Sequence, residues 1–434
     1  MTTRNKIRGF IGVKSNDGHD AAILVVADGL KKGGVEVILG GYDITIHKFV
    51  EAIVQEGVHF AGISSYNGGH IPFFIGVRDA LKQRGCPHIH IIGGGGATIT
   101  PEDIEFLERE PGIDRIFKSG EGPQIVPYIR EHYDFSVVPE HPEESIEDLR
   151  CADTLAVSGW LNLAEEKARL ESLIDEKKVS LDLASSLRKG NEFLNEPVDP
   201  AGTTVREVLG KIESCAAAMS RLDPLDKNRP TTVYGITGRG GAGKSTLTDE
   251  LILRFFHDQR NQGKRVALLA VDPSSHRSGG ALLADRVAYM YATDKNWVDT
   301  GRIFIRSVAA RGFGNGIARA LPDMIKILTA AGYDIFIESY GTGQPDTGIA
   351  RLVDKPVYVT TPDIGGASQI GKEEMLNVPG VYVVLNKNEL RGARHVSGLL
   401  RGKINGNRLF LTTAIEHKNP GVDKLYRALT EHYR

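Results

Sequence analysis

The chain has 434 residues, 41% hydrophobic and 25% charged, with a formal net charge of -2. That balance is ordinary for a globular protein, leaves length for two or three domains, and argues against a nucleic-acid surface as its main business. Cys86, Cys151 and Cys215 form no C-x-x-C pair and read as reduced thiols; MTTRNKIRGF lacks an apolar signal region, and no run of about 18 apolar residues occurs, so no membrane association and a cytoplasmic location are expected.

From residue 7 to 140, strand-like and helix-like segments alternate. Ile7–Val13, Glu36–Gly40, His59–Ser64, His88–Ile92 and Arg115–Phe117 read as strands, with helical stretches such as Phe49–Glu56 and Phe73–Arg84 between them. This alternation predicts a parallel sheet with right-handed crossovers, which binds ligands at the carboxyl ends of its strands. The first such end carries DGHDAA, with Asp17, Gly18, His19, Asp20 and Ala21. The next carries ISSYNGGH, with Ser64, Tyr66, Gly68 and Gly69. The one after carries IIGGGG, where Gly93, Gly94 and Gly95 follow a buried strand and offer a flat surface to a large ligand. On its own, a histidine between two acids is a solvated loop residue, part of a helix cap, or a metal ligand.

Residues 141–226 change character. HPEESIEDL is acidic, and Trp160–Leu187 is rich in Glu, Lys and Leu, with Leu163, Leu170, Leu173 and Ile174 on one helical face. Thr204-x-x-Glu207 is a capping box, and Val205, Val208, Leu209, Ile212, Ala216 and Met219 follow at helical spacing. The stretch reads as a helical linker or small helical domain, broken by LDPLDKNRP.

Residues 227–434 return to alternation, with strand candidates Val233–Thr237, Val266–Val271, Ile335–Glu338, Val357–Thr361 and Val381–Asn386. GRGGAGKS, Gly238–Ser245, matches G-x-x-x-x-G-K-[ST] between a strand pattern and the helical pattern Thr246–Phe256, the context a phosphate loop requires. Gly238, Gly240, Gly241, Ala242 and Gly243 turn backbone N–H groups toward phosphate oxygens at a helix N-terminus. Lys244 is expected on the β and γ phosphates and Ser245 on Mg²⁺, with Thr246 beside them. Asp272, Asp285 and Glu338 sit at or near strand ends, where acids can hold the metal that bridges the phosphates. LNKNE resembles the guanine-reading N-K-x-D box, with Asn386, Lys387 and Glu389; Glu389 stands where Asp is usual, and GTP is the favoured nucleotide. TTAIEHK, 412–418, is the loop expected to close over the base.

The first set of loops resembles the cobalamin-binding domain of adenosylcobalamin-dependent mutases, which carries D-x-H-x-x-G, then S-x-L, then G-G. Asp17, His19, Ser64, Gly93 and Gly94 match; Ala22 stands in place of Gly and Tyr66 in place of Leu. The resemblance implies a Rossmann-like, flavodoxin-like domain in which His19 is the lower axial cobalt ligand and Asp17 orients its ring. It also implies that the cofactor's nucleotide tail runs between strand and helix, past Ser64 and the glycines. The second half resembles the G-protein chaperones of these mutases in GGAGKSTLTDELI, VDPSS, SGGALLADR, ALPDMI and GASQI. That likeness implies Mg²⁺ ligands at Ser245, Asp272, Asp285, Glu338 and Ser339, and catalytic roles for Lys244, Asp272 and Glu338. Ala288 replaces an Arg of the relatives, and ESYGTGQPDTG departs from their E-T-x-G-x-G-Q-x-[DE].

The order resembles the fused isobutyryl-CoA mutases: cobalamin-binding domain over 1–140, helical linker over 141–226, P-loop GTPase domain over 227–434. The expected function is an adenosylcobalamin module fused to a GTPase, using Mg²⁺ with GTP or GDP, that gates cofactor loading and release for an acyl-CoA mutase. The barrel that performs the rearrangement takes about 250 residues and is not expected in this chain. The expected partners are therefore a mutase barrel subunit, an adenosyltransferase as cofactor donor, and a second copy in a homodimer. The alternatives are a corrinoid carrier for methyl transfer, and a P-loop NTPase whose first domain binds something other than cobalamin.

Overall fold

The computed structural model describes residues 7–19, 21–96, 98–133, 146–176, 195, 197, 203–222, 231–275, 278, 280–311, 317–340, 347–404 and 406–431. The chain divides into two compact units. One comprises Met1–Arg229, His276–Gly280 and Arg319–Ala331; the other Pro230–Ser275, Ala281–Ala318 and Gly332–Arg434.

In the first unit, β1 (Arg8–Val13), β2 (Glu36–Leu39), β3 (Phe60–Ser65), β4 (His90–Gly95) and β5 (Arg115–Phe117) stand in the order β5-β4-β3-β1-β2, with every pairing parallel. This is the flavodoxin-like doubly wound order. The strand order reverses between β1 and β3, where such sheets open a crevice at their carboxyl ends. RGFIGV and EVIL are buried at every position, as strands covered on both faces must be.

Helices α1 (Ala21–Lys32), α2 (Ile46–Glu56), α3 (His70–Gln83) and α4 (Pro101–Arg109) supply the crossovers, and α5 (Ile125–His132) follows β5. Local chemistry sets their ends. Thr45 accepts from Lys48 N and left-handed Gly57 closes α2, while Thr100 and Asp103 form a capping box before Pro101 on α4. Farther along, α6 (Thr154–Glu176) packs Leu170, Leu173 and Ile174 against Val205, Val208, Leu209 and Ile212 of α7 (Val205–Ser220), which opens on the Thr204–Glu207 capping box. The part of the expected helix beyond Glu176 lies outside the described residues.

One strand departs from expectation. β4 does not stop at Ile92 but continues through Gly93–Gly95, paired with β3 throughout. A Cβ on Gly95 would lie 1.7 Å from Ser65 O, one on Gly94 2.7 Å from Phe117 O, and one on Gly93 2.2 Å from Phe74 Cζ. The glycines are therefore strand residues whose neighbours leave no space for a side chain.

A buried charge cluster occupies the opposite end of β1. Arg8 Nη2 lies 2.7 Å from Glu56 Oε2, and Arg8 N donates to His59 Nδ1 at 3.0 Å. Burial, with the Arg8 guanidinium near, holds the His59 ring down at about 4, so it stays neutral.

In the second unit, β6 (Val233–Gly238), β7 (Arg265–Asp272), β8 (Ile303–Ala309), β9 (Tyr333–Glu338), β10 (Lys355–Thr360), β11 (Tyr382–Leu385) and β12 (Leu409–Leu411) form a sheet of order β12-β11-β10-β6-β9-β7-β8, again all parallel. Alternate residues enter opposite cores. Val357, Val359, Tyr382 and Val384 pack with α8 (Lys244–His257) and the last helix α9 (Pro420–Thr430), while Tyr358, Val383 and Leu385 pack with Ile364, Met375 and Leu400. The sequence reading did not anticipate β8 and β12. In β8, Arg306 and Ser307 interrupt an apolar run yet are fully buried, and β12 has only three residues.

Candidate functional site

In the first unit, the loop after β1 is shaped by its own polar side chains. Asn16 takes φ 62°, its N–H donates to Asp43 Oδ1 at 2.7 Å, and its carbonyl accepts from Asn67 Nδ2 at 2.8 Å. Asp17 is buried beneath this loop and gathers four donors. Oδ2 accepts from Tyr66 N at 2.5 Å and Asn67 N at 3.0 Å; Oδ1 meets His19 Nδ1 at 2.8 Å and His19 N at 3.2 Å. Burial on its own raises the Asp17 carboxyl, but these hydrogen bonds outweigh it and hold the group below its ordinary value.

An ionised carboxylate only accepts, so the neutral His19 ring carries its proton on Nδ1 and a lone pair on Nε2. The His19 side chain is 63% exposed, with the Tyr66 ring 5.5 Å away between centroids. The sheet end thus presents an oriented imidazole whose outer nitrogen can take a metal.

Beside it, a cavity of about 400 Å³ opens at the β1/β3 switch point. Ser64, Tyr66, Gly93, Gly94 and Gly95 line it, together with Ala22 of α1 and apolar side chains including Ile23, Val26 and Phe117. The residues present fit a cobalamin: an imidazole for the metal, and a largely apolar cleft along which β4 presents Gly93–Gly95 after Ile92, for a tail. The structure does not bring Gly68 and Gly69 to that lining; Gly69 takes φ 81° at the start of α3. A Cβ on Gly18 would meet open space, Ala21 is the exposed first residue of α1, and Asp20 lies outside the described residues.

In the second unit, the phosphate loop joins β6 to α8. Gly238, Gly241 and Gly243 take φ of 148°, 75° and 84°, and a Cβ on Gly238 would lie 2.1 Å from Val359 O. Lys244 is buried, with Nζ 3.3 Å from Arg239 O; Gly240 and Thr246 are exposed, and Ala242 is buried.

Ser245 Oγ donates to Glu338 Oε1 at 2.6 Å, so two expected metal ligands meet although 93 residues separate them. A hydroxyl beside a carboxylate is a hard-oxygen donor pair that suits Mg²⁺. Asp272 ends β7, and Asp285 opens the short helix Asp285–Ala288, its side chain outside the described atoms. Ser339 is buried and its hydroxyl donates to Thr237 Oγ1 at 2.8 Å. Among the described residues, no three His, Cys, Asp or Glu side chains converge as a metal site; Mg²⁺ bound to phosphates takes one or two carboxylates from the protein.

Asn386 ties the LNKNE stretch and the 412–418 loop to the phosphate loop. Its Nδ2 donates to Ala242 O at 2.9 Å, while Oδ1 accepts from Thr412 Oγ1 and Ala414 N, each at 3.0 Å. Lys387 follows at φ 55°, and Glu389 accepts from Thr413 Oγ1 at 2.8 Å. The sequence reading missed Asn67, which shares Asp17, and also Asp249 and Tyr289. Asp249 had a faint signal as an acid on the buried face of an apolar helix; the other two had none, since their partners are distant in the chain.

Residues 211–434 match the family described as methylmalonyl Co-A mutase-associated GTPase MeaB, and residues 7–126 match the B12 binding domain. The chain is 32% identical over 432 residues to the fused isobutyryl-CoA mutase of Geobacillus kaustophilus (strain HTA426), covering 96% of this chain and 35% of that protein. It is 35% identical over 427 residues to the fused isobutyryl-CoA mutase of Nocardia farcinica (strain IFM 10152), with coverage of 96% and 35%, and 32% identical over 442 residues to that of Cupriavidus metallidurans, with coverage of 98% and 35%. It therefore spans about a third of the length of these curated relatives. With a B12 binding domain ahead of its GTPase domain, the chain belongs to the methylmalonyl Co-A mutase-associated GTPase MeaB family.

Proposed function

We propose that this chain binds adenosylcobalamin in its first unit and hydrolyses GTP to GDP and phosphate in its second. In this reading the nucleotide state gates loading and release of the cofactor for an acyl-CoA carbon-skeleton mutase. The observation that carries the reading is the Asp17–His19 pair, joined through Tyr66 to the lining of an apolar, glycine-lined cavity, in one chain with a MeaB-type GTPase domain. His19 would hold the cobalt, and Asp17 would fix the ring. Ser64, Tyr66 and Gly93–Gly95 would line the tail's path. The cofactor supplies the radical chemistry; the protein supplies placement and gating.

In the second unit, Lys244 would meet the β and γ phosphates, while Ser245, Asp272, Asp285, Glu338 and Ser339 would surround Mg²⁺. Asn386, Lys387 and Glu389 would read the base. We propose the division 1–140, 141–226 and 227–434, a mutase barrel subunit and an adenosyltransferase as partners, a homodimer, and a cytoplasmic location. Among the described residues no helix is long and apolar enough to cross a membrane.

The test is the visible spectrum of the protein mixed with adenosylcobalamin, for wild type and His19→Ala, with cofactor retention then followed on adding Mg²⁺ and GTP. Imidazole ligation is expected in wild type alone, and retention should change with nucleotide. An unaltered spectrum in the variant would remove the His19 assignment, and retention indifferent to GTP would remove gating.

A further inference from the structure

Glu338 is held from two sides. Ser245 Oγ donates to its Oε1 at 2.6 Å, and Tyr289 Oη donates to its Oε2 at 2.8 Å. Tyr289 is buried, 1% exposed, and 49 residues from Glu338 in the chain. Its position is anchored in turn: Asp249 of α8, itself buried, accepts from Met290 N at 2.8 Å, Tyr291 N at 2.9 Å and Ala292 N at 2.7 Å. Thr293 Oγ1 closes the same turn onto Tyr289 O at 2.6 Å. The phenol is thus set against the helix that begins with Lys244.

We infer that Tyr289 is a positioning residue that holds the Glu338 carboxylate in place for the nucleotide-bound Mg²⁺. This rests on the reading of Ser245 and Glu338 as the metal side of a GTP site. A neutral donor on a carboxylate oxygen stabilises the anion and fixes its orientation without adding charge. Removing such a partner from a metal-ligating group typically costs about ten- to a hundredfold in metal affinity. Phenylalanine at 289 keeps the ring and its packing and deletes only the hydroxyl.

The experiment follows release of a fluorescent GDP analogue from the full chain, wild type and Tyr289→Phe, over a series of free Mg²⁺ concentrations down to EDTA. Glu338→Gln serves as reference for loss of the carboxylate, and thermal melts without nucleotide report folding. The expected result is equal release in EDTA and a Mg²⁺ midpoint raised about tenfold in Tyr289→Phe. A midpoint within about twofold of wild type overturns the inference, as does faster release already present in EDTA, which marks a packing role. Wild-type release that ignores Mg²⁺ overturns the metal reading itself, and this inference with it.

Discussion

Asp17→Asn isolates what the buried carboxylate does. The aspartate offers two oxygens to four donors: backbone N–H of Tyr66 and Asn67 on one, the ring and backbone of His19 on the other. Asparagine keeps one oxygen: turned one way its NH₂ faces the N–H groups of Tyr66 and Asn67, and turned the other it faces His19 N–H and a ring nitrogen that must shed its proton to accept. The cheaper orientation keeps the oxygen on Tyr66 and Asn67, because the His19 side is exposed and water can replace what is lost. Hydrogen bonds to a charged group contribute about 1.5–3 kcal/mol each and neutral ones about half that, so a loss of about 2 kcal/mol is expected. The His19 ring then faces a donor at Nδ1, which favours the opposite tautomer, with the proton on Nε2.

The assay is urea unfolding followed by the fluorescence of Trp160, buried in the first unit, in a Trp297→Phe background. The acid dependence carries a sign. The folded pKa of Asp17 lies below its ordinary value, so its contribution is present above that ordinary value and is lost as pH falls through the folded pKa. The variant should lack this loss. A stability within about 0.5 kcal/mol of the parent, with the same acid slope, would refute the reasoning.

Gly95→Ala places a Cβ 1.7 Å from Ser65 O, so β3 and β4 must part; destabilisation by about 1–3 kcal/mol or more is expected in the same unfolding assay, and an unchanged urea midpoint would count against the strand packing described. Asn386→Ala removes three hydrogen bonds of about 1 kcal/mol each, so GDP affinity should fall by about ten- to a hundredfold in a fluorescence titration, and unchanged affinity would show that the bridge does not organise the site. His59, held at about 4 against an ordinary 6.5, refuses a proton that the unfolded chain accepts. Stability should therefore drop as pH falls between those values, by up to about 3 kcal/mol, and His59→Gln should abolish that slope in urea melts at pH 7 and 5.

Much of the site could be read from local pattern. The phosphate loop was legible because strand, glycine turn and helix follow one another within the motif, and the Asp17–His19 pair because two residues of spacing suffice for the contact. The parallel sheets followed from alternation, and the α7 cap from Thr204 and Glu207. Other parts escaped. The end of β4 was misjudged at Gly93–Gly95 because glycine ordinarily weakens a strand, and only the approach of Ser65 O and Phe117 O explains it here. β8 was passed over because Arg306 and Ser307 read as surface residues, whereas both are buried.

The sequence by itself determined the chemistry available at each strand end: an imidazole with a carboxylate beside it, a run of glycines, a lysine and a hydroxyl at a helix start. Those depend on residues within a turn of one another, where covalent spacing alone sets the geometry. Only the tertiary structure decided which of them meet. Ser245 with Glu338, Tyr289 with Glu338, Tyr66 with Asp17, and Asn386 with Ala242 lie 93, 49, 49 and 144 residues apart. Their meeting depends on strand order and register, which follow from burying whole faces of the sheet rather than from any local signal.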